Sequence, residues 1–454
     1  MKTISARVLL AGLKDDCEDI PVSAVVTDSR RIQPGCVFVC FPGARVDGHD
    51  FAAQAIRGGA AYVVGQHPVE GVPDSRLVLV DSSLHAMVTM GRNYRALFHP
   101  TVVGVTGSVG KTTTKEFCYA VFSAFGETLK TEGNQNNEIG CPNTLFRLED
   151  STRFAVVEMG MSARGEISRL TGAARPDVGI ITCIGVSHME TLGSRENIRA
   201  AKLELCEGMP ENAPLVLNAD DPWLASAALP AHVRPVWVGI DSPAAAIRAE
   251  NIRPQADSIS FTIRDAANGC FETTIPAIGR HNIYNALSAY AAGVSAGLDP
   301  AGAAAALQNY RTTGMRQHVV KRRGVTVMED CYNASPDSMR AAFSTLAQLP
   351  ARRRCALVGD MLELGAVSEQ AHAEVGRLAA ETGVEVLVCY GPQSRLSAEE
   401  ARRAGVAQVV WCQTPAEAVG ALHRLVQSGD ALLAKASRGM KLEDILADFY
   451  RLGE

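Results

Sequence analysis

GVTGSVGKTTT, residues Gly104–Thr114, is the segment that sets the architecture of this chain. The apolar run Val102–Thr106 leads into its glycines and is typical of a buried strand, and Thr112–Phe125 has the pattern of a helix. Glycines between a strand and a helix let backbone N–H groups converge on phosphate oxygens, and the helix N-terminus adds its dipole. The segment therefore predicts a site for a nucleoside triphosphate.

Two side chains of this loop carry the predicted chemistry. Lys111 is within reach of the outer phosphates, and the Thr112 hydroxyl is a ligand for Mg²⁺. The generic pattern GxxxxGK[ST] would need a glycine where Val105 stands. The loop residues expected to bind ATP are Gly107, Ser108, Val109, Gly110, Lys111, Thr112 and Thr113. By itself the loop says nothing about what is done with the nucleotide.

Short apolar strands alternate with amphipathic helices along the chain, which predicts an α/β fold. His99-Pro100 and Thr312-Thr313-Gly314 interrupt this alternation. We therefore expect three domains: a small mixed α/β domain at 1–98, a central P-loop ATPase-type parallel sheet at 99–313, and a C-terminal Rossmann-like domain at 314–454. The strand candidates beside the loop are Ala24–Thr27, Cys36–Phe41, Tyr62–Val64, Arg76–Val80, Val178–Ile184, Leu215–Leu217, Val325–Met328, Ala356–Val358, Val384–Cys389, Val409–Trp411 and Ala431–Ala434, with a hairpin at Ile259–Ile263 and Phe271–Ile275.

Composition and charge exclude several classes of protein. A net charge of -5, from 44 basic and 49 acidic residues, argues against a nucleic-acid binder that works through a large basic surface. The twelve cysteines are scattered without a CxxC pair, as expected of reduced thiols in the cytoplasm. The sequence contains neither a signal peptide pattern nor an apolar run near the roughly 20 residues that span a bilayer, so we expect no membrane insertion.

Two polar residues follow buried strands downstream of the loop. Glu158 ends the apolar run Phe154–Glu158, where a nucleotide-binding sheet presents a metal carboxylate, and His188 follows the next strand. Taken alone, His188 is as well explained as a loop or core histidine, and Glu158 could have either role. Because both residues lie at successive strand ends, they favour a pair of metal sites.

The chain resembles the Mur ligases, because Thr106–Thr112 fits their TGxxGKT pattern, which accounts for the departure from the generic one. Other segments resemble the member of that family that adds D-alanyl-D-alanine to UDP-N-acetylmuramoyl-tripeptide. These segments are DGHDF at 47–51, NQNNEIG at 134–140, DCYNASPDSM at 330–339, GDMLELG at 359–365 and SRGMK at 437–441. The chain lacks the Asp-Asn-Pro-Arg box of the neighbouring tripeptide-forming ligase.

This resemblance implies a reaction of peptidoglycan synthesis that uses ATP and Mg²⁺. One domain would bind the UDP-sugar end, one would bind ATP, and the C-terminal domain would move to complete the site. The substrate's carboxylate would attack the γ-phosphate to form an acyl phosphate, and the amine of D-alanyl-D-alanine would then displace phosphate. Such ligases act in the cytoplasm during cell-wall growth and division, and we expect a monomer.

The resemblance also implies roles for individual residues. Lys111 and Mg²⁺ would neutralise the phosphates, with Thr112 and Glu158 on one ion and His188 on the second. Lys202 matches a lysine that becomes carbamylated and bridges to the second metal, although the family often has glycine where Leu203 stands. The alternative for Lys202 is a solvated helix lysine paired with a nearby glutamate.

The remaining contacts implied by the resemblance fall into four groups. They are Asn282 and Asn285 for the adenine, Arg316 and Asp330 for phosphate and ribose, Asp28, Ser29 and Arg30 for the uridine nucleotide, and Asn137, Glu138, Ser437 and Arg438 for the two peptides. Asn282 could also be a helix N-cap, and Arg30 could be a surface charge. The third residue of the tripeptide, diaminopimelate or lysine, stays open.

Two other functions are compatible with the phosphate loop. One is a different ligase of this type, such as another Mur enzyme or a folylpolyglutamate synthetase-like enzyme. The other is a plain P-loop NTPase switch that hydrolyses nucleotide without joining two substrates. The segments 47–51 and 330–339 argue against the first alternative, and the C-terminal motifs would have no purpose in the second.

Overall fold

A computed structural model describes residues 1–43 and 46–451 of the chain, which form three α/β units in chain order. The three-domain α/β fold predicted from the sequence is confirmed. Residues 452–454, at the end of the predicted C-terminal domain, lie outside the described residues.

The N-terminal unit is built on a four-stranded parallel sheet in the order β3-β4-β5-β6, with a short antiparallel pair β1-β2 beside it. The strands are β1 Ile4–Ser5, β2 Pro21–Val22, β3 Ala24–Val26, β4 Cys36–Val39, β5 Tyr62–Gly65 and β6 Leu77–Leu79, and the helices are α1 Ala6–Leu9, α2 Ala52–Arg57 and α3 Ser83–Arg95. Every residue of β4 and β5 is buried, as expected of parallel strands covered on both faces.

The central unit is a nine-stranded sheet in the order β15-β14-β13-β12-β11-β10-β7-β9-β8. The strands are β7 Thr101–Thr106, β8 Thr128–Lys130, β9 Phe154–Glu158, β10 Val178–Ile181, β11 Ala213–Asn218, β12 Val233–Gly239, β13 Ile247–Pro254, β14 Ile259–Asp265 and β15 Gly269–Ile275. The helices are α4 Lys111–Ser123, α5 Gly140–Leu145, α6 Glu166–Ala174, α7 Met189–Leu192, α8 Arg195–Leu203, α9 Pro222–Ala225, α10 His281–Ser295 and α11 Pro300–Ala306.

The order of strands in this sheet creates the crevice for a ligand. Strand β7 pairs in parallel with β9 on one side and with β10 on the other. The chain places β8 and β9 on one side of β7 and then crosses to place β10 on the opposite side, so that the strand order reverses at β7. Ligands of open α/β sheets bind at such a switch point, outside the carboxyl ends of the strands. The glycine loop, Glu158 and the segment carrying His188 follow these three strand ends.

The C-terminal unit is a six-stranded sheet in the order β16-β17-β21-β18-β19-β20, parallel except for the edge strand β16. The strands are β16 His318–Arg322, β17 Val325–Glu329, β18 Arg354–Gly359, β19 Val384–Tyr390, β20 Gln408–Cys412 and β21 Ala431–Lys435. The helices are α12 Pro336–Gln348, α13 Ser368–Glu381, α14 Ser394–Arg403, α15 Pro415–Leu425 and α16 Leu442–Arg451.

The N-terminal and central units share one hydrophobic core, whereas the C-terminal unit has separate cores. One core runs from Leu9 and Met87 of the N-terminal unit to Leu145 and Val157 of the central unit. Tyr94 on α3 adds a hydrogen bond from its hydroxyl to the carbonyl of Leu148, at 2.9 Å. The C-terminal unit has cores of its own, in which the central unit takes part through partly buried Ile278. Because its core is separate, the C-terminal unit has the anatomy of a domain that moves independently.

Two further observations concern the whole chain. All twelve cysteines are free thiols, and eleven of them are buried or nearly so. Across residues 1–43 and 46–451, none of the helices has the length and apolar character that crossing a bilayer requires.

One ion pair anchors the sheet of the C-terminal domain. Arg353 forms two hydrogen bonds to the carboxylate of Asp430, at 3.1 and 2.6 Å, and the Asp430 side chain is fully buried. The backbone N–H of Gln427 donates to the same carboxylate at 2.8 Å. Burial by itself would raise the pKa of Asp430, but the hydrogen bonds from Arg353 and Gln427 outweigh it and lower the pKa below 3.8.

We expect Asp430→Asn to lower the free energy of unfolding of the C-terminal domain by about 3 kcal/mol, because Arg353 loses its buried partner. Urea unfolding at neutral pH measures this change. The contribution of Asp430 is fully present above its unfolded pKa of 3.8 and is lost as the pH falls through the lower folded value. The difference between variant and parent should therefore shrink on acidification.

Asp448→Asn is the matched control, since Asp448 is an exposed carboxylate that pairs with Arg451 on the surface. Its effect should stay within about 0.5 kcal/mol. Equal effects of the two substitutions, or a difference that grows as the pH falls, would contradict the role given to Asp430.

Candidate active site

The carboxyl ends of β7, β9 and β10 open into a cavity of about 610 Å³ that the C-terminal domain closes from the other side. This cavity brings together most of the residues that the sequence singled out. It is lined by Ser108, Val109, Gly110, Lys111, Thr112, Thr113, Asn137, Glu158, His188, Asn282 and Asn285 from the central domain and by Arg316 and Asp330 from the C-terminal domain.

At two positions of the glycine loop, the backbone conformation and the close neighbours leave room only for glycine. Gly107 has a φ of +144°, and a Cβ there would lie 1.9 Å from the hydroxyl oxygen of Thr182. Gly110 has a φ of +88° and directly precedes α4, and a Cβ there would lie 2.7 Å from the amide oxygen of Asn285. Both glycines therefore let the loop approach its neighbours closely.

Lys111 is folded back onto this loop. Its Nζ donates to the carbonyl of Gly107 at 2.8 Å, and burial lowers the pKa of the amine, an effect that the carboxylate of Glu158 opposes. A triphosphate in the cavity would supply negative charge to the same amine and thereby favour its charged form.

Glu158 is held at the end of β9 with one oxygen engaged and the other free. The Thr112 hydroxyl and the Asn136 amide both donate to its Oε1, at 3.1 and 2.8 Å. The carboxylate is buried, and its Oε2 makes no hydrogen bond, although Lys115 Nζ lies 3.5 Å away. A hydroxyl and a carboxylate oxygen side by side are the ligands that Mg²⁺ prefers.

Burial lowers the pKa of two bases near the cavity, His188 and Lys202. His188 has a left-handed φ of +65°, and burial, followed by the nearby Lys202 and Lys111, lowers its pKa to about 4. A neutral imidazole is the form that binds a metal. Lys202, on α8, is fully buried, and its Nζ has no hydrogen-bond partner.

The environment of Lys202 excludes one of the alternatives open to the sequence. Burial, followed by the charge of Lys111, lowers the pKa of Lys202 well below its usual range. The nearby Glu204 instead accepts hydrogen bonds from the backbone of Gly165 and Ser168. A solvated lysine paired with a glutamate does not describe this residue.

Asn282 and Asn285 form a hydrogen-bonded pair on the first two turns of α10. The Asn285 amide donates to the Asn282 oxygen at 3.0 Å, and its own oxygen accepts from the Thr114 hydroxyl at 3.0 Å. The Asn282 amide donates to the carbonyl of Ile278 at 2.7 Å and to the Gln317 side chain at 3.2 Å. Because Arg280 holds the N-cap position, the N-cap alternative for Asn282 is wrong.

The C-terminal domain contributes a cation and a carboxylate to the same cavity. The guanidinium of Arg316 lies 4.0 Å from the ring centroid of Tyr332. Asp330, at the end of β17, accepts a hydrogen bond from Lys435 Nζ at 2.6 Å, and both side chains are buried. Lys435 also donates to the carbonyl of Asn333, so these residues are fixed within the domain.

The other residues predicted for substrate lie outside the cavity lining. Arg30 forms hydrogen bonds to both carboxylate oxygens of Asp28, which lowers the pKa of Asp28 to about 2, and Ser29 lies between them in this exposed turn. Glu138 pairs with Arg169 at 2.5 Å. The last two residues predicted for substrate are Ser437 and Arg438. Ser437 Oγ accepts a hydrogen bond from the backbone N–H of Leu362 at 2.9 Å, and Arg438 pairs with Glu443 at 2.5 Å.

Four residues that contact the predicted site residues Glu158, Arg316 and Asp330 were not predicted from the sequence. They are Asn136, Lys115, Tyr332 and Lys435, all described above. Asn136 and Tyr332 stand inside motifs that were already recognised, and Lys435 ends a buried strand, so that a polar residue there could have been noticed. Lys115 gave no signal beyond its place on a helix face.

Fold and site together define a P-loop nucleotide-binding enzyme in which a second α/β domain completes the site. Three family profiles match the chain: "Mur ligase family, catalytic domain" at residues 21–88, "Mur ligase middle domain" at 105–293 and "Mur ligase, glutamate ligase domain" at 315–438. The chain belongs to the Mur ligase family, and its relatives identify it as an ATP-dependent ligase.

Relatives of known name agree with this assignment. The chain is 38% identical over 452 residues to the UDP-N-acetylmuramoyl-tripeptide–D-alanyl-D-alanine ligase of Bacillus subtilis, covering 99% of this chain and 97% of that protein. It is similar to the crystal structure of MurF from Acinetobacter baumannii, with a TM-score of 0.90, 27% identity and 99% coverage of both chains. MurF from Thermotoga maritima in complex with ADP has a TM-score of 0.84 and 28% identity, covering 95% of this chain and 97% of that one.

Lys115 sits directly beneath the carboxylate of Glu158. Its side chain is fully buried, with Nζ 3.3 Å from Glu116 Oε1 and 3.5 Å from Glu158 Oε2, and it donates to the carbonyl of Gly133 at 3.2 Å. Glu116 is buried as well and also pairs with Lys130, which is partly exposed. Lys115 is therefore the buried cation between two buried carboxylates.

We expect Lys115→Met to lower the free energy of unfolding by about 3–5 kcal/mol, because buried Glu158 loses this cation and buried Glu116 keeps only Lys130. Lys130→Met is the control, since Lys130 also pairs with Glu116 but reaches solvent, and its effect should be clearly smaller. Urea unfolding of both variants measures the difference. The role of Lys115 would be refuted by a Lys115→Met protein as stable as the Lys130→Met protein.

Proposed function

We propose that this protein joins D-alanyl-D-alanine to UDP-N-acetylmuramoyl-tripeptide with cleavage of ATP to ADP and phosphate. The product is the UDP-N-acetylmuramoyl-pentapeptide precursor of peptidoglycan. The observation that carries this proposal is the cavity of about 610 Å³ in which two domains of a Mur ligase meet around a phosphate loop. The name of the Bacillus subtilis relative, similar over nearly the full length of both chains, supports the choice of substrates.

The proposed reaction has two stages, each with one bond formed and one broken. An oxygen of the tripeptide's terminal carboxylate attacks the γ-phosphorus of ATP, and ADP leaves with the electron pair of the broken P–O bond. The amine of D-alanyl-D-alanine then attacks the acyl carbon, loses a proton, and displaces phosphate. The protein contributes position and charge rather than covalent chemistry.

Lys111 is the cation that the proposal assigns to the triphosphate, and its reach from the start of α4 supports this role. Mg²⁺ would supply further positive charge where the γ-phosphate is transferred. Thr112 and Glu158 would hold one ion, as supported by the free, buried Oε2 of Glu158. His188, neutral at physiological pH because of its lowered pKa, would hold a second ion.

Lys202 is proposed to carry a carbamate. Its amine is buried and has no hydrogen-bond partner, and its lowered pKa favours the unprotonated form that attacks CO₂. The neutral nitrogen would form a bond to the carbon of CO₂ as one C=O π bond breaks, and release one proton, so that an uncharged amine becomes an anion. An anion next to Lys111 and a divalent ion is better compensated than a second buried cation.

The remaining contacts follow the division of the chain into domains. We assign the UDP-sugar end to 1–98, ATP to 99–313 and completion of the site to 314–454. Within this scheme Asn282 and Asn285 would face the adenine, and Arg316 and Asp330 would contact phosphate and ribose. Asp28, Ser29 and Arg30 would bind the uridine nucleotide. Asn137 and Glu138 would bind the tripeptide, and Ser437 and Arg438 would bind the dipeptide.

We further propose that the enzyme works as a monomer in the cytoplasm. A single chain supplies the cavity lining from both domains, so that no second copy is needed to complete it. Free thiols throughout the chain fit a reducing compartment.

Phosphate release from ATP is expected to depend strongly on both UDP-N-acetylmuramoyl-tripeptide and D-alanyl-D-alanine, with one pentapeptide formed per phosphate. Tripeptides ending in diaminopimelate and in lysine are compared to identify the natural acceptor. Lys111→Ala should slow ligation about 100–1000-fold, because the triphosphate loses its cation, whereas Lys321→Ala on the exposed edge strand should not. Phosphate release that ignores both substrates would favour a plain NTPase instead.

A carbamate on Lys202 is expected to appear as a ¹³C NMR resonance after incubation with ¹³C-labelled bicarbonate. Lys202→Ala should abolish this resonance and slow ligation roughly 10–100-fold, because the second ion loses a ligand. Lys321→Ala should leave the resonance and the rate unchanged. Full activity in CO₂-free buffer, without a carbamate resonance, would rule the modification out.

A further inference from the structure

The segment Gly185–Glu190 of the central domain, which runs into the start of α7, lies against the C-terminal domain, and we refer to it as the His188 loop. The backbone N–H of Val186 donates to Asp337 Oδ2 at 3.2 Å. This hydrogen bond joins residues 151 positions apart in the chain. It links the segment that follows β10 to the first turn of α12.

The same carboxylate occupies the space beside Gly185. A Cβ at Gly185 would lie 2.3 Å from Asp337 Oδ2, which is shorter than any non-bonded contact. The φ of Gly185 is outside the left-handed region, so that its backbone would accept an alanine. The Ser108 Cβ lies 3.2 Å from the same position, so the absence of a side chain at residue 185 is explained mainly by the approach of Asp337 and not by the conformation of the loop.

The other end of the His188 loop also lies close to the C-terminal domain. Nδ1 of His188 lies 3.4 Å from Glu363 Oε2, and a Cβ at Gly365 would lie 3.1 Å from the Cα of Glu190. His188 and Glu363 both have left-handed backbones, with φ of +65° and +63°. Non-glycine residues in this conformation persist where the surrounding structure holds them, and here they face each other across the domain boundary.

Asp337 also has a simpler role that must be distinguished from this one. It lies in the first turn of α12, where a carboxylate stabilises the helix dipole, and it makes an ion pair with Arg340 at 3.6 Å. Neither role requires contact with another domain. The hydrogen bond to Val186 and the close approach to Gly185 are additional, and they are made only when the two domains meet.

We propose that Asp337 is a positioning residue, whose carboxylate docks on the backbone of Gly185 and Val186 when the C-terminal domain closes and so fixes the His188 loop in the active site. This inference rests on the proposed function, because the loop matters only if His188 takes part in ligation. Docking through backbone contacts makes closure and the position of His188 a single event.

The test uses the full-length enzyme and four variants: Asp337→Ala, Gly185→Ala, the double variant, and Glu369→Ala as the matched control. Glu369 is an exposed carboxylate in the first turn of α13 of the same domain, so its loss reproduces the change at a helix start without the contact between domains. Thermal melting of each variant checks that the fold is kept.

Ligation should fall about tenfold or more in kcat for Asp337→Ala, as expected for loss of a hydrogen bond to a charged group. Glu369→Ala should stay within about twofold of the parent. Gly185→Ala should also be slow, because its methyl group meets the carboxylate. In the Asp337→Ala background the added methyl meets only the Ser108 Cβ, at 3.2 Å, so the double variant should be much faster than the product of the two single effects predicts.

Small-angle scattering supplies the readout that a purely structural role would not change. With a non-hydrolysable ATP analogue and UDP-N-acetylmuramoyl-tripeptide, the parent and Glu369→Ala should contract, whereas Asp337→Ala should contract less. The proposal is overturned if Asp337→Ala behaves like Glu369→Ala, or if the effects of Gly185→Ala and Asp337→Ala multiply. If the parent enzyme forms no pentapeptide, the proposed function fails instead, so the two failures are distinguishable.

Discussion

Electrostatic repulsion between a triphosphate and a carboxylate must be overcome before the two can react, and the arrangement of the central domain is suited to this task. Lys111 at the start of α4, and the oxygens of Thr112 and Glu158 beside it, converge at the carboxyl end of a buried sheet. Burial keeps these groups in place and lowers the pKa of Lys111, so that the amine gains most from an anionic ligand. Beneath them, Lys115 balances the charge of the carboxylates that the site needs.

The division into domains follows from the same requirement. The N-terminal and central domains share one hydrophobic core, whereas the C-terminal domain has its own and reaches the cavity through Arg316 and Asp330. A site that must admit two large substrates and then exclude water is well served by a domain that closes last. Through its contact with the backbone of Val186, Asp337 couples that closure to the position of His188 in the active site.

Much of this structure could be predicted from the sequence, since buried parallel strands read as continuous apolar runs. Phe154–Glu158 was predicted with the bounds that the structure has, and the hairpin β14-β15 was predicted correctly. Strand β16 was missed because four of its five residues are exposed, and β13 was missed because its apolar residues alternate with charged ones and form no continuous run. Contacts such as that of Asn136 with Glu158, or of Asp337 with Val186, depend on distances that no local pattern contains.

The most direct measurement of the central claim follows an oxygen atom. UDP-N-acetylmuramoyl-tripeptide labelled with ¹⁸O in its terminal carboxylate is ligated to D-alanyl-D-alanine, and the released phosphate is examined by ³¹P NMR. If the cavity brings the carboxylate against the γ-phosphate, one ¹⁸O from the carboxylate appears in each phosphate. Phosphate without the label, formed while pentapeptide accumulates, would contradict this account.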